Sequence, residues 1–168
     1  GFGGGEHLLS IAKKNKKIGI IGCEPYLNGV AMFLPRLVKE NLGRVRVFMD
    51  DARILFEVLP DLSISKLFLL FPDPWPKTRH KRRRFINREN IKIFERILKL
   101  DGLIYIATDV NEYAKHVLEN FNNQAGFEWL AETASDWRNP WKDWEETRYF
   151  SKAKRSGRKT TFMIFRKI

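Results

Sequence analysis

The chain has 168 residues, with 31 lysines and arginines against 20 aspartates and glutamates, which gives a formal net charge of +11. This excess predicts a polyanionic partner or an anionic surface, because unpaired like charges repel one another in a folded protein. No apolar run is long enough to span a membrane and no signal-peptide pattern is present, so we expect a cytoplasmic protein. The single Cys23 excludes an internal disulfide, and three scattered histidines predict no metal site.

The chain opens in a glycine-rich loop, Gly1-Phe2-Gly3-Gly4-Gly5-Glu6, and a helix is predicted after it, over residues 7–14. Such a loop normally follows a strand. We therefore expect that a first strand lies ahead of Gly1, and we interpret residues 1–168 as one N-terminally trimmed domain. At this size the domain can bury a core of its own.

A buried strand is predicted over residues 18–23, and it ends at Glu24. An acidic residue roughly 20 residues beyond a glycine loop commonly holds ribose hydroxyls, so the pair predicts a nucleoside cofactor. Glu6 would stand at the positive start of the helix and repel a phosphate there. A cofactor with a ribose and no phosphate fits better, and S-adenosylmethionine meets that description.

Helical periodicity over residues 27–41 is followed by a predicted strand over 45–49 and a helix over 52–59. Asp51 lies between that strand and that helix. It is a candidate acceptor for the amino group of adenine, and the structural alternative is that it caps the helix.

The stretch 67–87 reads LFLLFPDPWPKTRHKRRRFIN. Its apolar start is typical of a strand buried on both faces of a parallel sheet, and Pro72 and Pro74 end that strand. Asp73 is thereby held at a strand's carboxyl end, where ligands bind in open α/β sheets. The aromatic Trp75 follows it, and then a cationic run over residues 77–84. A carboxylate, a large aromatic and a cationic run together indicate a pocket for a base attached to a polyanion, although each alone is also common in solvated loops.

Asn87 is predicted to cap a helix that runs to about residue 99, and a strand over 103–107 ends near Asp109. Asp109 either caps the next helix, over 112–122, or makes a polar contact at the mouth of the site. A strand over 127–131, a loop over 135–146, a turn over 155–158 and a last strand over 160–165 complete the chain. The alternation predicts an α/β, doubly wound, mostly parallel sheet with a C-terminal antiparallel hairpin.

These residues resemble the bacterial tRNA (guanine-N7-)-methyltransferases. The pieces that carry the resemblance are GFGGGE, IGCE, DDA, PDPWPKTRHKRRR, ATD and ETRY, and they run in the family's order across nearly the whole chain. The PDPW-to-RRR segment is the most specific of them. The resemblance implies a Rossmann-like class I fold, S-adenosylmethionine as methyl donor, and 7-methylguanosine formation in the tRNA variable loop.

The resemblance also implies roles for individual positions. Asp73 corresponds to the carboxylate of the catalytic pocket and, with the cofactor residues, faces the bound donor. The cofactor-binding positions are Gly1, Gly3, Glu24, Asp51 and Asp73. The substrate-side positions are Lys77, Asp109 and Thr147, and the RNA-contacting run is Arg79, His80, Lys81, Arg82, Arg83 and Arg84.

This chain departs from the family pattern at Phe150, where the family has a glutamate three residues after the threonine of ETRY, and at Cys23, where it usually has isoleucine. Two alternatives stay open at this stage. One is a methyltransferase for another RNA or amine substrate, and the other is an RNA-binding module without catalysis. We expect tRNA as the partner, neither metal nor membrane, and a monomer or weak homodimer.

Overall fold

The computed structural model describes every residue from Gly1 to Ile168. Its α-helices are α1 (Glu6–Lys14), α2 (Leu27–Lys39), α3 (Ala52–Val58), α4 (Arg88–Ile97), α5 (Asn111–Asn122), α6 (Ala134–Arg138) and α7 (Arg148–Arg155). Its strands are β1 (Ile20–Cys23), β2 (Val45–Phe48), β3 (Ile64–Leu70), β4 (Leu98–Thr108), β5 (Phe127–Trp129) and β6 (Thr161–Lys167). A 3₁₀ helix covers Thr78–Arg83, within the cationic run.

The strands pair in two groups. β1 and β2 form a parallel pair, and β3, β4, β6 and β5 form a four-stranded sheet in that order. Within the larger sheet β3 and β4 are parallel, whereas β6 runs antiparallel to both β4 and β5. The predicted α/β fold with an antiparallel C-terminal strand pair is confirmed. The strand expected ahead of Gly1 and the single trimmed domain stay predictions.

The C-terminal third differs from its prediction in two places. Part of the predicted loop is the short helix α6, which begins at a capping box between Thr133 and Asp136. A second helix, α7, was not predicted, and it begins where the Thr147 hydroxyl accepts the amide N–H of Phe150. Because these two helices lie between β5 and β6, the antiparallel pair is joined by a long connection rather than by the turn of a hairpin.

Strand β3 is less deeply buried than its apolar sequence predicted. It lies at the edge of the four-stranded sheet, with β4 as its only strand partner, and its residues from Leu67 to Leu70 are half-buried. The strand ends at Leu70 because the next residue, Phe71, takes a positive φ of 52°. That turn carries Asp73 out of the sheet and into solvent at the carboxyl end.

The main core lies between the larger sheet and the helices α4 and α5. It includes the fully buried side chains of Phe94, Ile104, Ile106, Tyr113 and Phe165. α4 contributes because its apolar residues recur at helical spacing, so that one face of the helix is buried in this core. A smaller cluster joins α1 and α2 to β1 and β2. The glycine loop lies above that smaller cluster, where only a glycine fits at position 5, because a Cβ there would overlap the ring of Phe33.

Candidate active site

The acidic residues singled out from the sequence all follow the carboxyl ends of parallel strands. Glu24 comes directly after β1 and Asp51 shortly after β2, while Asp73 and Asp109 follow β3 and β4. The amide N–H of Phe71 extends the β3–β4 pairing by donating to the carbonyl of Ala107 at 2.7 Å. The carboxylates of Asp73 and Asp109 are therefore carried on neighbouring strand ends.

Glu24 organises the glycine loop. Its side chain is only 4% exposed, and its Oε2 accepts the amide N–H of Gly3 at 2.6 Å while Oε1 accepts that of Tyr26 at 3.0 Å. Gly1 lies against the same carboxylate, and Gly3 adopts a positive φ of 56°. Each carboxylate oxygen can accept a second hydrogen bond, and the contact of Glu24 with ribose hydroxyls stays a prediction.

Asp51 caps α3, as the structural alternative predicted. Its Oδ1 accepts the amide N–H of Arg53 at 2.9 Å, and the guanidinium of Arg53 pairs with the same carboxylate. The hydrogen bonds from Arg53 lower the pKa of Asp51 below its usual value. The carboxylate is therefore charged and fixed, and the predicted contact with adenine stays a prediction.

The helix α7 lies against the glycine loop through two side chains. The Nε of Arg148 pairs with Glu6 at 3.2 Å, so the acid that begins α1 is balanced by a cation. The neighbouring Tyr149 lies beside Gly3, and its ring is nearly parallel to that of Phe71, with ring centroids 6.2 Å apart. Tyr149 is 53% exposed, so it presents an aromatic surface between the glycine loop and the turn that carries Asp73.

The carboxylate of Asp73 is exposed and accepts no hydrogen bond from the protein. It is held by backbone geometry, because Pro72 and Pro74 fix their own φ on either side of it. The non-glycine residues that flank this turn, Phe71 and Trp75, have positive φ values of 52° and 41°. Such conformations cost of order 1–3 kcal/mol each and occur where surrounding contacts impose them.

The cationic run folds as a short 3₁₀ helix on top of this turn. Its side chains at Lys77, Arg79, Lys81, Arg82 and Arg83 are exposed. Of these, Lys81 pairs with Glu112 of α5 at 2.9 Å, while the others have no acidic partner. The run therefore presents several free cations to a phosphate backbone.

Trp75 is enclosed by this helix. The guanidinium of Arg83 lies over its ring at 4.9 Å, and the ring of His80 meets it edge-on at 5.7 Å. These contacts give the ring of Trp75 a packing role within this loop.

Arg84 differs from the rest of the run, because its side chain is only 2% exposed. It donates to the carbonyl oxygens of Pro74 and Trp75 and to Glu112. All of these partners belong to the protein, and the predicted contact between Arg84 and RNA does not fit this burial. The four consecutive cations at residues 81–84 did not indicate which of their side chains would be buried.

Two of the three substrate-side positions, Asp109 and Thr147, also contact other parts of the protein. Asp109 pairs with the Nε of Arg158 at 2.6 Å, and Thr147 is buried as the N-cap of α7. The hydroxyl proton of Thr147 remains free to be donated, since the oxygen acts as acceptor in the cap. Phe150, at the family's glutamate position, packs against the rings of Trp144 and Phe162.

An aromatic cluster beside the glycine loop was not predicted from the sequence. The imidazole of His7, in the first turn of α1, contacts the rings of Phe68, Trp141 and Trp144. It is 7% exposed, and its Nε2 has no hydrogen-bond partner. Burial lowers the pKa of His7 to about 4, an effect partly offset by Glu145. A lone histidine in a helical pattern gave no signal of this burial.

We predict an acid-sensitive fold on account of His7. Below pH 6.5 the unfolded chain takes up a proton at this imidazole, whereas the folded chain does so only near pH 4. The depressed pKa should therefore cost about 3 kcal/mol of unfolding free energy between pH 6.5 and pH 4. Urea unfolding of the wild type and of His7→Phe at pH 7 and pH 4 measures the loss, which should be smaller in the variant by about this amount. Equal losses in both proteins would exclude His7 as the cause.

Comparison with known proteins connects this geometry to a family. The model of the family described as "Putative methyltransferase" matches residues 1–163. The tRNA (guanine-N(7)-)-methyltransferase of Ruegeria pomeroyi is 52% identical over 168 residues, which cover 100% of this chain and 70% of that protein. The chain belongs to the tRNA (guanine-N(7)-)-methyltransferase family. The enzymes of that name from Jannaschia sp. and Rhizobium etli are 51% and 42% identical, over 99% and 100% of this chain and 70% and 73% of their own lengths.

Solved structures support the fold of this tRNA (guanine-N(7)-)-methyltransferase family member. An rRNA methylase from Streptococcus thermophilus superimposes with a TM-score of 0.66 at 13% identity, over 100% of this chain and 83% of that one. A protein described as "a putative methyltransferase from streptococcus mutans in complex with SAH" gives 0.63 at 11% identity, over 100% and 85%. The predicted Rossmann-like class I methyltransferase fold is confirmed.

The helix lengths and the grouping of side chains in this family member bear on membrane crossing and on metal binding. None of its helices combines the length and the apolar character that crossing a membrane requires. No group of three or more histidine, cysteine, aspartate or glutamate side chains is arranged to hold a metal ion.

Proposed function

We propose that this protein transfers a methyl group from S-adenosylmethionine to N7 of a guanosine in the variable loop of tRNA, forming 7-methylguanosine. The observation that carries the proposal is the placement of Asp73. Its exposed and unpaired carboxylate lies at the end of β3, between an aromatic ring beside the glycine loop and a helix of exposed cations. The names of the relatives, 42–52% identical, support the same substrate.

The residues around the glycine loop fit S-adenosylmethionine. Glu24 retains acceptor capacity for the ribose hydroxyls, and Gly1 and Gly3 bring the backbone close to that carboxylate. Asp51 would accept the amino group of adenine, and Glu6 puts a carboxylate at the start of α1, where a phosphate would otherwise bind. When bound, the cofactor supplies a methyl group on a positively charged sulfonium.

Guanine N7 has an exposed lone pair and no proton, so the protein needs no general base. Its task is to orient the base for in-line attack and to stabilise the positive charge that moves onto it. Asp73 can accept the N1–H and the amino group of guanine, and its negative charge favours the cationic product. The packing of His80 against Trp75 agrees with this absence of acid-base work.

Tyr149 is placed to stack on the base. Its half-exposed ring stands between Gly3, on the cofactor side, and Phe71, two residues ahead of Asp73. A guanine turned out of the RNA toward Asp73 would meet this ring, and aromatic stacking is a general way of holding an unpaired RNA base.

We expect Tyr149→Ala to lower kcat/KM for tRNA about 10- to 100-fold, since stacking contributes about 1–3 kcal/mol per base. Tyr149→Phe keeps the ring and should stay within about threefold of the wild type. Steady-state kinetics at saturating S-adenosylmethionine measures the effect. A Tyr149→Ala variant with wild-type kinetics would remove Tyr149 from base binding.

The function itself is tested with the full-length protein, radiolabelled S-adenosylmethionine and unmodified tRNA transcripts, followed by nucleoside analysis. We expect label in 7-methylguanosine, and loss of that label when the variable-loop guanosine is replaced. Label in another nucleoside would overturn the substrate. No label, with tRNA still bound tightly, would favour the RNA-binding module.

A further inference from the structure

Arg84 is a buried cation directly beneath the turn that carries Asp73. Its Nε donates to the carbonyl oxygen of Pro74 at 2.9 Å, and one Nη reaches the carbonyl of Trp75 at 3.5 Å and Glu112 of α5 at 3.0 Å. Its guanidinium also lies over the ring of Tyr113, 5.7 Å from the centroid. An arginine that is 2% exposed and so engaged has no free face for a phosphate.

The two carbonyls that Arg84 holds belong to the residues immediately after Asp73. Trp75 takes a positive φ of 41°, an unfavourable backbone conformation that needs support from its surroundings. A guanidinium has five N–H donors in a rigid plane and can hold several acceptors at once, which a lysine ammonium cannot do with the same geometry. The bonds from Arg84 therefore fix the path of the backbone on which Asp73 is carried.

Glu112 connects this support to the RNA-facing surface. Its Oε1 pairs with the buried Arg84 at 3.0 Å and with the exposed Lys81 at 2.9 Å. Hydrogen bonds from Lys81 and Arg84 lower the pKa of Glu112, which keeps the carboxylate charged. One carboxylate of α5 thus anchors both the turn of the catalytic pocket and the 3₁₀ helix.

We propose that Arg84 is a positioning residue that, anchored by Glu112, holds the Asp73 turn in the geometry required for methyl transfer, and that it makes no contact with tRNA. This inference rests on the proposed function, because its effect is measured on the methyl-transfer step. It separates Arg84 from the exposed cations beside it, whose task is affinity for tRNA.

Arg84→Lys tests the proposal, because it keeps the charge and loses the planar set of donors. We expect kcat for tRNA methylation to fall about 30- to 100-fold, with KM, the tRNA Kd and its salt dependence unchanged. Arg96→Lys is the matched control. Arg96 bonds the carbonyls of Phe56 and Leu59 and the carboxylate of Asp61 in the same manner, away from the site, and its replacement should lower Tm without lowering kcat.

Two results would overturn the proposal. A wild-type kcat with a weakened Kd and a lower salt slope would make Arg84 a phosphate contact, and a lowered Tm with wild-type kcat and Kd would make it structural only. If Arg84→Lys fails to fold, Glu112→Gln decides, since it retains an acceptor but removes the charge. It should lower kcat about 3- to 10-fold without weakening tRNA binding, because Lys81 is freed at the same time. If the wild-type protein itself transferred no methyl group to tRNA, the proposed function would be refuted instead. Failure of the positioning role and failure of the proposed function are therefore distinguishable.

Discussion

Replacing Asp73 by alanine should lower kcat for tRNA methylation by about 10²- to 10³-fold. That is the range found when a single preorganised electrostatic group is removed from a transition state. The carboxylate has no partner within the protein, so its removal leaves no buried charge behind and should not unfold the chain. Affinity for tRNA should stay within about threefold, because phosphate contacts by the cationic helix supply most of it.

A charge-specific variant and a remote control sharpen this test. Asp73→Asn keeps the shape and one acceptor oxygen but loses the negative charge. Its kcat should lie between those of the wild type and Asp73→Ala, because the side chain can still accept a hydrogen bond from guanine. Asp61→Asn removes an exposed carboxylate that pairs with Arg96 ahead of β3, at the amino end of that strand, and should leave kcat unchanged. Asp73→Ala with wild-type activity would take Asp73 out of the mechanism.

The sequence predicted the features of this molecule that depend on local pattern. Short apolar runs marked β1 to β4, and their carboxyl ends located Glu24, Asp51, Asp73 and Asp109 at one end of the strands. Asn87 was predicted as a cap and accepts the amide N–H of Asn90 at 2.9 Å. Such signals are local, because a cap or a strand end is decided by a few consecutive residues.

Features that depend on contacts distant in sequence could not be predicted in this way. Arg84 and Arg83 are neighbours of the same type, yet one is buried against α5 and the other covers Trp75 at the surface. Only the packing of α5 against the Asp73 turn determines which of the two arginines is buried. His7 is a similar case, since its burial arises from Trp141 and Trp144, far along the chain.

The packing of Phe150 explains how this chain accommodates a departure from the family pattern. The family resemblance implies a glutamate here, with its carboxylate toward the substrate. Here the ring of Phe150 packs against Trp144 and Phe162, and Lys154 lies over its face at 5.4 Å. The side chain therefore anchors α7 to the sheet through Phe162 of β6, and the substrate contact of Thr147 stays a prediction.

Neutralising Arg79, Arg82 and Arg83 together, as glutamines, should weaken tRNA binding on the order of 10²- to 10³-fold in 0.1 M salt. Each phosphate contact contributes a slope of roughly −0.7 to −0.9 in a plot of log K against log salt, so the slope should become shallower by about 2 to 3. All three side chains are exposed and none pairs with an acid. Arg84 is left intact, so the Asp73 turn keeps its support. At saturating tRNA, kcat should therefore fall much less than the affinity.

The matched control removes the same charge from the other end of the strands. Lys16, Lys17 and Lys39 are exposed, and they lie just ahead of β1 and β2, at the amino ends of those strands. Their replacement by glutamine also lowers the net charge by three, yet it should leave the salt slope unchanged. If both triple variants lost affinity equally, binding would depend on net charge alone. An unchanged slope in the arginine variant would mean that tRNA docks on another surface. A loss confined to that variant assigns the tRNA to the carboxyl ends of the strands, above Asp73, where the chemistry requires it.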